Sequence, residues 1–544
     1  MAEHKSVHPF IRTINLLKLD KRDISSLYFY AILAGIIQLS LPLGVQSIIN
    51  FVMFNTASTS LIVLISLVIL GVFLSGYLQV NQMKLTEKIQ QKIFVRYAFA
   101  FAETLPKIEL QATEGYYMPE LTNRFFDTMN LQKGLSKLLL GVPMAFIQIL
   151  FGILLLSFYH PVFIGLGALL LLIVYLIFKL SSERGLATSL SESDYKYKVA
   201  AWLQEISRNL NTFKNYEYTR LNIQKTDKYT QGYLENRSKH FDILTSQYWS
   251  LVVFKVILTA SMLIIGCILL LNQLINIGQF IAAEIVIISV TASIEKLILS
   301  IDVVYDVLTA VEKLNKVLQK STEPSGKLPL DTGQAISVSF KNVSFAYTPT
   351  TPVLKNLSFE VASGDKVLIN TSNSGAGAST ILRLLGNVLI PESGYVLVND
   401  TPKENYAIQS YRKNVSYLNG QNEIFNGTLW ENISIGNDAI TLKTVNQLIK
   451  ELGFDGFIES FEKGFDTELF TKGLKLPSHL IQEILLLRTL VQPCQLLILD
   501  EPFKSLSPQI QQKVAQYICS LPITVIAASH QKEIQTYFKN IIDL

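Results

Sequence analysis

Charged positions vanish from long stretches of the first part of the chain. None occurs between Asp23 and Lys84, and none between Lys137 and Lys179. About 20 apolar residues cross a bilayer as a helix. The first stretch therefore predicts crossings over residues 27–51 and 58–82, and the second a pair within 137–179 that turns at His160-Pro161. A third pair is predicted over residues 249–271 and 278–299, which makes six spans. The turns near Asn55, near His160 and across residues 272–279 carry no Lys, Arg, Asp or Glu. The long segments 84–135 and 180–246 are rich in Lys and Arg. The positive-inside rule places both long segments and both termini in the cytoplasm. These segments read as helices running on beyond the membrane, each interrupted once, from Glu114 to Pro119 and from Asn209 to Thr212. Such breaks are places for short cross-helices.

Residues 8–22 put Phe10, Ile11, Ile14 and Leu17 on one helical face, with Arg12, Lys18, Lys21 and Arg22 among the polar positions. That spacing suits a helix lying on the membrane surface. The first apolar run begins near Leu27 and is too long for the core of a cleavable leader, so none is expected. Ionisable residues inside the spans are rare and default to functional candidates. Lys255 and Glu295 lie equally far in sequence from the turn near Leu274, so antiparallel helices would bring them to one depth. Glu284 lies nearer that turn with no evident partner.

The long apolar pattern ends after Leu318. Residues 319–334 are polar with Pro and Gly, the composition of a linker. Beyond them short apolar runs alternate with helical stretches, which predicts an α/β domain. The chain thus reads as multidomain: a cytoplasmic amphipathic segment (1–24), an all-α polytopic membrane domain (25–318), the linker (319–334) and an α/β domain (335–544).

Composition agrees. Of 544 residues, 49% are hydrophobic and 17% charged, and the mean hydropathy is +0.33, the balance of a membrane protein. A net charge of +4 is small for this length and argues against a nucleic-acid partner. Cys267, Cys494 and Cys519 are widely spaced and show no metal-ligand pattern.

The candidate chemistry lies in the second half. Val367 to Asn370 reads as a buried strand, Thr371 to Gly377 as a loop of small residues, and Ile381 to Leu385 as a helix. Strand, small-residue loop and helix in that order cradle phosphates, because loop and helix-start N–H groups point at the anion. The phosphate-loop pattern asks for Gly, four residues, Gly, Lys and then Ser or Thr. Here Ser372 stands at the first glycine, Gly375 within the loop, Gly377 at the second glycine, Ala378 at the lysine and Ser379 at the magnesium-binding hydroxyl.

Further segments follow in order. They are Val343-Ser344-Phe345-Ala346-Tyr347; Ile424 to Ile433, reading IFNGTLWENI; Gly464-Phe465-Asp466-Thr467 with Gly473; Leu496-Leu497-Ile498-Leu499-Asp500-Glu501-Pro502; and Thr524 to His530, reading TVIAASH. With the loop, this set resembles the nucleotide-binding domain of an ATP-binding cassette (ABC) transporter. The six spans resemble the membrane half of an ABC exporter, of the secretion type in feel, and the two resemblances together cover nearly the whole chain. The resemblance implies a P-loop nucleotide-binding domain with ATP and Mg2+ as cofactors. Tyr347 would stack on adenine, and Ser372, Gly375, Gly377, Ala378, Ser379 and Thr380 would surround the phosphates. Ser379 and Asp500 would hold the magnesium, while Glu501 and His530 would serve hydrolysis. It also implies a dimer (a homodimer or a pair with another half-transporter), a bacterial inner membrane, an export substrate and a secretion adaptor.

Departures from the family pattern are concentrated at the same sites. Ala378 removes the lysine. The signature segment reads Leu476-Pro477-Ser478-His479-Leu480 instead of Leu-Ser-Gly-Gly-Gln. Gly420 takes the glutamine-loop position with Gln421 one place late, and Ser507 stands where an Asp is expected. The sequence also runs only fourteen residues past His530, which reads as C-terminally short, and with about two dozen residues before the first span no peptidase-like domain is expected there. Loss of one preorganised charge costs about 3–4 kcal/mol of transition-state stabilisation, two to three orders of magnitude in rate. Two expectations follow: an exporter subunit with weak nucleotide binding and impaired ATPase, or a non-hydrolysing pseudo-transporter acting as scaffold or regulator.

Overall fold

The structure, a computed structural model, describes residues 9–53, 59–109, 118–330, 333–348, 351–370, 377–420, 423–470 and 476–543. The chain divides into two compact units, the first ending at Ser321 and the second beginning at Thr322.

The first unit is helical. Its elements are α1 (Pro9–Lys18), α2 (Lys21–Gln38), α3 (Ser40–Met53), α4 (Thr59–Thr104), α5 (Met118–Asn123), α6 (Asp127–Tyr159), α7 (Val162–Arg208), α8 (Leu210–Asn215), α9 (Leu221–Leu271) and α10 (Ile277–Leu318). Among the described residues, five stretches are long and apolar enough to cross a membrane: Lys21–Met53, Thr59–Lys107, Glu120–Tyr159, Leu221–Leu271 and Ile277–Leu318. The sixth span falls in α7, whose 47 residues reach about 70 Å, more than twice the hydrocarbon thickness. Long extensions beyond the bilayer follow from these lengths.

The first span is not one helix. It breaks between Gln38 and Ser40 because Pro42 has no N–H to offer the Gln38 carbonyl and its ring crowds that turn. His160 and Pro161 form the turn between α6 and α7. The last turn is closed by a capping box: Gln279 N–H donates to Asn276 Oδ1 at 2.8 Å, and Asn276 N–H to Gln279 Oε1 at 2.9 Å. The interruption at Asn209 holds the short helix α8. The turn at Asn55 and the Glu114–Tyr117 part of the other interruption lie outside the described residues.

Helix α6 packs along α10. The approach is close enough that a Cβ on Gly152 would stand 2.5 Å from Val290 Cγ2, the small-residue device by which membrane helices gain van der Waals contact. Lys255 and Glu295 do meet, Nζ to Oε2 at 2.6 Å. Helix α1 is pinned to α10 by Arg12 and Glu312 at 2.9 Å, while Phe10, Ile11 and Ile14 stay exposed.

The second unit contains β1 (Val338–Thr348), β2 (Thr351–Val361), β3 (Lys366–Asn370), α11 (Ala378–Leu385), β4 (Ser393–Val398), β5 (Thr401–Pro402), α12 (Ile408–Asn414), β6 (Val415–Leu418), β7 (Gly427–Thr428), α13 (Leu429–Ser434), α14 (Leu442–Leu452), β8 (Glu468–Leu469), α15 (Ser478–Leu490), β9 (Leu496–Asp500), α16 (Pro508–Ser520), β10 (Thr524–Ser529) and β11 (Asn540–Asp543). A parallel sheet in the order β11-β3-β10-β9-β6 forms its centre, beside an antiparallel sheet β2-β1-β4-β5. Strands β9 and β10 are buried throughout, which is why they read as continuous apolar runs.

The polar segment expected as a linker is partly built into this unit. Gly326 N–H donates to the Tyr406 carbonyl, and Lys327 and Leu328 N–H to the Asn405 carbonyl, each at 3.0 Å. A polar composition does not keep a segment loose once its backbone groups find partners.

Candidate functional site

Parallel register brings the carboxyl ends of three strands together. Asn370 of β3 stands opposite Ser529 of β10, and Asp500 of β9 opposite Ala528 of β10. In open α/β sheets ligands bind outside these ends, and the chain sends its loop-to-helix turn, its two carboxylates and its histidine there. Ser372 and Gly375 lie outside the described residues; the remaining candidates are placed.

Gly377 precedes α11 with φ of +89°, a left-handed conformation that suits glycine. A Cβ there would stand 2.7 Å from Leu354 Cδ2, a terminal methyl that can move aside, so it is the backbone that demands glycine. Ala378 opens α11 and is 5% exposed. Ser379 Oγ donates to Asp500 Oδ1 at 3.1 Å. Thr380 Oγ1 lies 3.2 Å from the Tyr347 hydroxyl, and the Tyr347 ring packs edge-on against Phe345, centroids 5.0 Å apart.

Asp500 is buried. Burial pushes its carboxyl above the usual carboxylate range; the Ser379 hydrogen bond opposes this, the neighbouring Glu501 charge adds to it, and Arg383 and the Gly420 N–H oppose it again. A hydroxyl and a buried carboxylate side by side are the donors that a hard divalent cation takes together with phosphate oxygens. A Cβ on Gly420 would stand 3.1 Å from Asp500 Oδ2, so the glycine keeps this pocket open. The residues present therefore fit Mg2+ with a triphosphate, save for the missing lysine.

Glu501 follows in a left-handed backbone, φ +50°, fixed by its N–H on the Ala528 carbonyl at 2.9 Å. Non-glycine residues seldom adopt this region, and the turn it makes swings the carboxylate off the strand line. Its Oε2 lies 2.9 Å from His530 Nδ1. The two hydrolysis candidates, far apart in sequence, are thus in direct contact.

Two side chains absent from the sequence reading join the site. Arg383 Nη1 donates to the Tyr347 hydroxyl at 3.4 Å and also interacts with Tyr417, whose own hydroxyl burial holds in its protonated form. Arg383 lies one turn after Ser379 on the same helical face, and helical side chains lean toward the N-terminus. That spacing was legible. Gln482, in α15, donates from Nε2 to the carbonyls of Glu501 at 3.3 Å and Pro502 at 2.9 Å; no sequence pattern announced it.

The altered signature segment still starts a helix. Pro477 occupies the cap position and α15 begins at Ser478, with Pro477, Ser478 and His479 exposed. Gly473 and Gln421 lie outside the described residues.

Comparison with known proteins agrees with this geometry. The family model described as the ABC transporter matches residues 354–504, and the one described as the ABC transporter transmembrane region matches residues 26–293. An export ATP-binding/permease protein of Rickettsia bellii is 32% identical over 214 residues, 39% of this chain and 37% of that protein. The mitochondrial iron-sulfur clusters transporter ATM1 of Saccharomyces cerevisiae is 26% identical over 356 residues, 61% of this chain and 51% of that protein. The chain thus spans about half or less of the length of these curated relatives. A solved bacterial Atm1-family ABC exporter with ATP bound superposes with a TM-score of 0.85 at 20% identity, covering 96% of this chain and 93% of that one, which shows a common fold. The chain belongs to the ABC transporter superfamily, with the exporter-type half-transporter architecture of a six-helix membrane domain followed by one nucleotide-binding domain.

Proposed function

We propose that this chain is a subunit of an ABC exporter that binds ATP weakly and hydrolyses it slowly. It resides in the bacterial inner membrane with both termini in the cytoplasm, and works as a dimer with a second copy or with another half-transporter. The observation that carries the reading is Ala378: a methyl group opens α11 where the family has an ammonium, directly after the left-handed Gly377.

In this reading Tyr347 faces adenine, and Ser372, Gly375, Gly377 and Thr380 contact the phosphates. Ser379 and Asp500 hold the magnesium. Bound Mg2+ supplies neutralisation of phosphate charge. The protein's own part is positional: Glu501 orients the attacking water and accepts its proton, while His530 at Oε2 holds that carboxylate in place. Arg383 lies close to Tyr347 and Thr380 and offsets part of the lost charge, on the adenine side of the phosphates.

The test is the ATPase rate of the purified full chain in lipid nanodiscs. Two or more orders of magnitude below an intact exporter is expected. A rate like that of an intact exporter, abolished by Glu501→Gln, overturns the reading.

The signature segment favours a second reading. Pro477 and His479 put bulk where the family's serine and second glycine let a helix start approach phosphate, so the chain offers a partner's site as little as it offers its own. It would then be a non-hydrolysing scaffold or regulator. Co-purification separates the two: a stoichiometric intact ABC partner favours the working heterodimer, and a secretion adaptor or outer-envelope protein favours the scaffold.

A further inference from the structure

Helices α9 and α10 line a hollow of about 410 Å³ near their cytoplasmic parts and, closer to the turn that joins them, a second of about 280 Å³, each open on one side. The smaller one gathers three ionisable residues from the apolar part of both helices: Lys255 on α9, and Glu284 and Glu295 on α10. Glu284 and Glu295 are eleven residues apart. At 100° per residue they share one face of α10, about 16 Å apart along its axis. Thr259 and Thr291 stand between them, and Met262 contributes to an otherwise apolar wall.

The charges are not equivalent. Lys255 and Glu295 cancel each other across 2.6 Å at one end. Among the described residues, no hydrogen bond or ion pair reaches Glu284 at the other end. Seven residues from the start of α10, it lies about 10 Å below the turn, inside the hydrocarbon depth. An uncompensated carboxylate at that depth costs several kcal/mol of solvation, and such residues face cavities or ligands. The cavity therefore has one net negative charge at one end, apolar walls along its length, and a self-neutralised far end.

We propose that this cavity binds a small organic cation, an amine or quaternary ammonium on an apolar body, with Glu284 as the counter-charge. The site rests on the exporter reading as far as cargo is concerned, but binding itself does not require nucleotide turnover. An anion is disfavoured because the Lys255 ammonium lining the cavity is already held by Glu295. The volume, below that of drug-sized pockets, admits a body of about one aromatic ring.

The test uses the full chain in lipid nanodiscs and isothermal titration with benzyltrimethylammonium, its neutral isostere neopentylbenzene, and benzylsulfonate. The cation is expected to bind at least tenfold tighter than the neutral isostere, and the sulfonate not at all. Glu284→Gln is expected to lower cation affinity about tenfold while leaving neopentylbenzene unchanged, which also reports that the variant is folded. Glu284→Asp is expected to keep the preference. Equal binding of cation and neutral isostere, or undiminished cation affinity in Glu284→Gln, overturns the site. Neither result bears on nucleotide affinity, measured separately on the same samples.

Discussion

Replacing Glu483 by glutamine should make the nucleotide-binding unit more stable above neutral pH and change little below pH 4.5. Glu483 lies in α15 and is 4% exposed. Among the described residues it has no hydrogen-bond or ion-pair partner. Burial alone pushes its carboxyl from 4.5 up to about 7. The folded state therefore keeps a proton that the unfolded chain releases between those values. Stability must fall as pH rises from about 4.5 to about 7, and the loss persists above. At 1.36 kcal/mol per unit, the ionised carboxylate costs up to about 3 kcal/mol at pH 8. An amide in its place is not ionised at any pH and escapes this cost. For a unit of this size the difference corresponds to a rise of about 10 °C in Tm. Thermal unfolding of the full chain and of Glu483→Gln in nanodiscs, from pH 4.5 to 8.5, reads it directly. The Tm difference should open across the window and plateau above it. Two curves that run parallel at every pH would show that Glu483 is solvated or paired, and the reasoning would fail.

Other outcomes are expected. Ala378→Lys should tighten ATP binding about tenfold yet leave turnover low, since Pro477 and His479 remain; calorimetry and phosphate release measure the two separately. Gly377→Ala should lose nucleotide binding and lower Tm, because a Cβ at φ +89° meets Leu354; a backbone cost of about 1–2 kcal/mol is the floor. Asp500→Asn should raise the Tm of the nucleotide-free protein at pH 7, since its buried carboxylate is held against its ionisation preference, and should abolish the Mg2+ dependence of ATP binding. Arg383→Met should weaken ATP and ADP alike, and affinities that stay unchanged would remove Arg383 from the site.

Much of this architecture could be read from the chain because its signals are one-dimensional. Uncharged runs mark spans, and fully buried parallel strands such as β9 and β10 are apolar without interruption. The Lys255–Glu295 pair was legible because equal distance from a turn fixes equal depth in antiparallel helices. The break at Gln38 was available in Pro42 but was masked by continuous hydropathy across it. What the sequence did not disclose were contacts set by tertiary geometry. Gln482 reaches Glu501 only because α15 lies against the end of β9, and nothing in either segment's composition encodes that meeting. Arg383 carries no motif of its own: with the lysine gone, only its place one helical turn after Ser379 ties it to the site. The ordered stretch at Gly326 leaves no trace in the sequence because polar residues without periodicity look the same whether their backbone is solvated or paired with Asn405.

Helix α10 runs unbroken from Ile277 to Leu318, 42 residues and about 63 Å. Near its last turns Glu312 holds Arg12 of α1, and Lys313 is buried against Asp194 of α7. A rod so clamped has no joint at which to absorb a displacement. A pull delivered where the chain leaves Leu318 would reach Glu284 only by carrying α1 and α7 along with the shaft, so the proposed amine pocket would be reshaped together with these neighbours. Replacing Leu299 and Ser300 by glycine would put a hinge in the shaft and loosen the link between its two ends without changing the helical register of either.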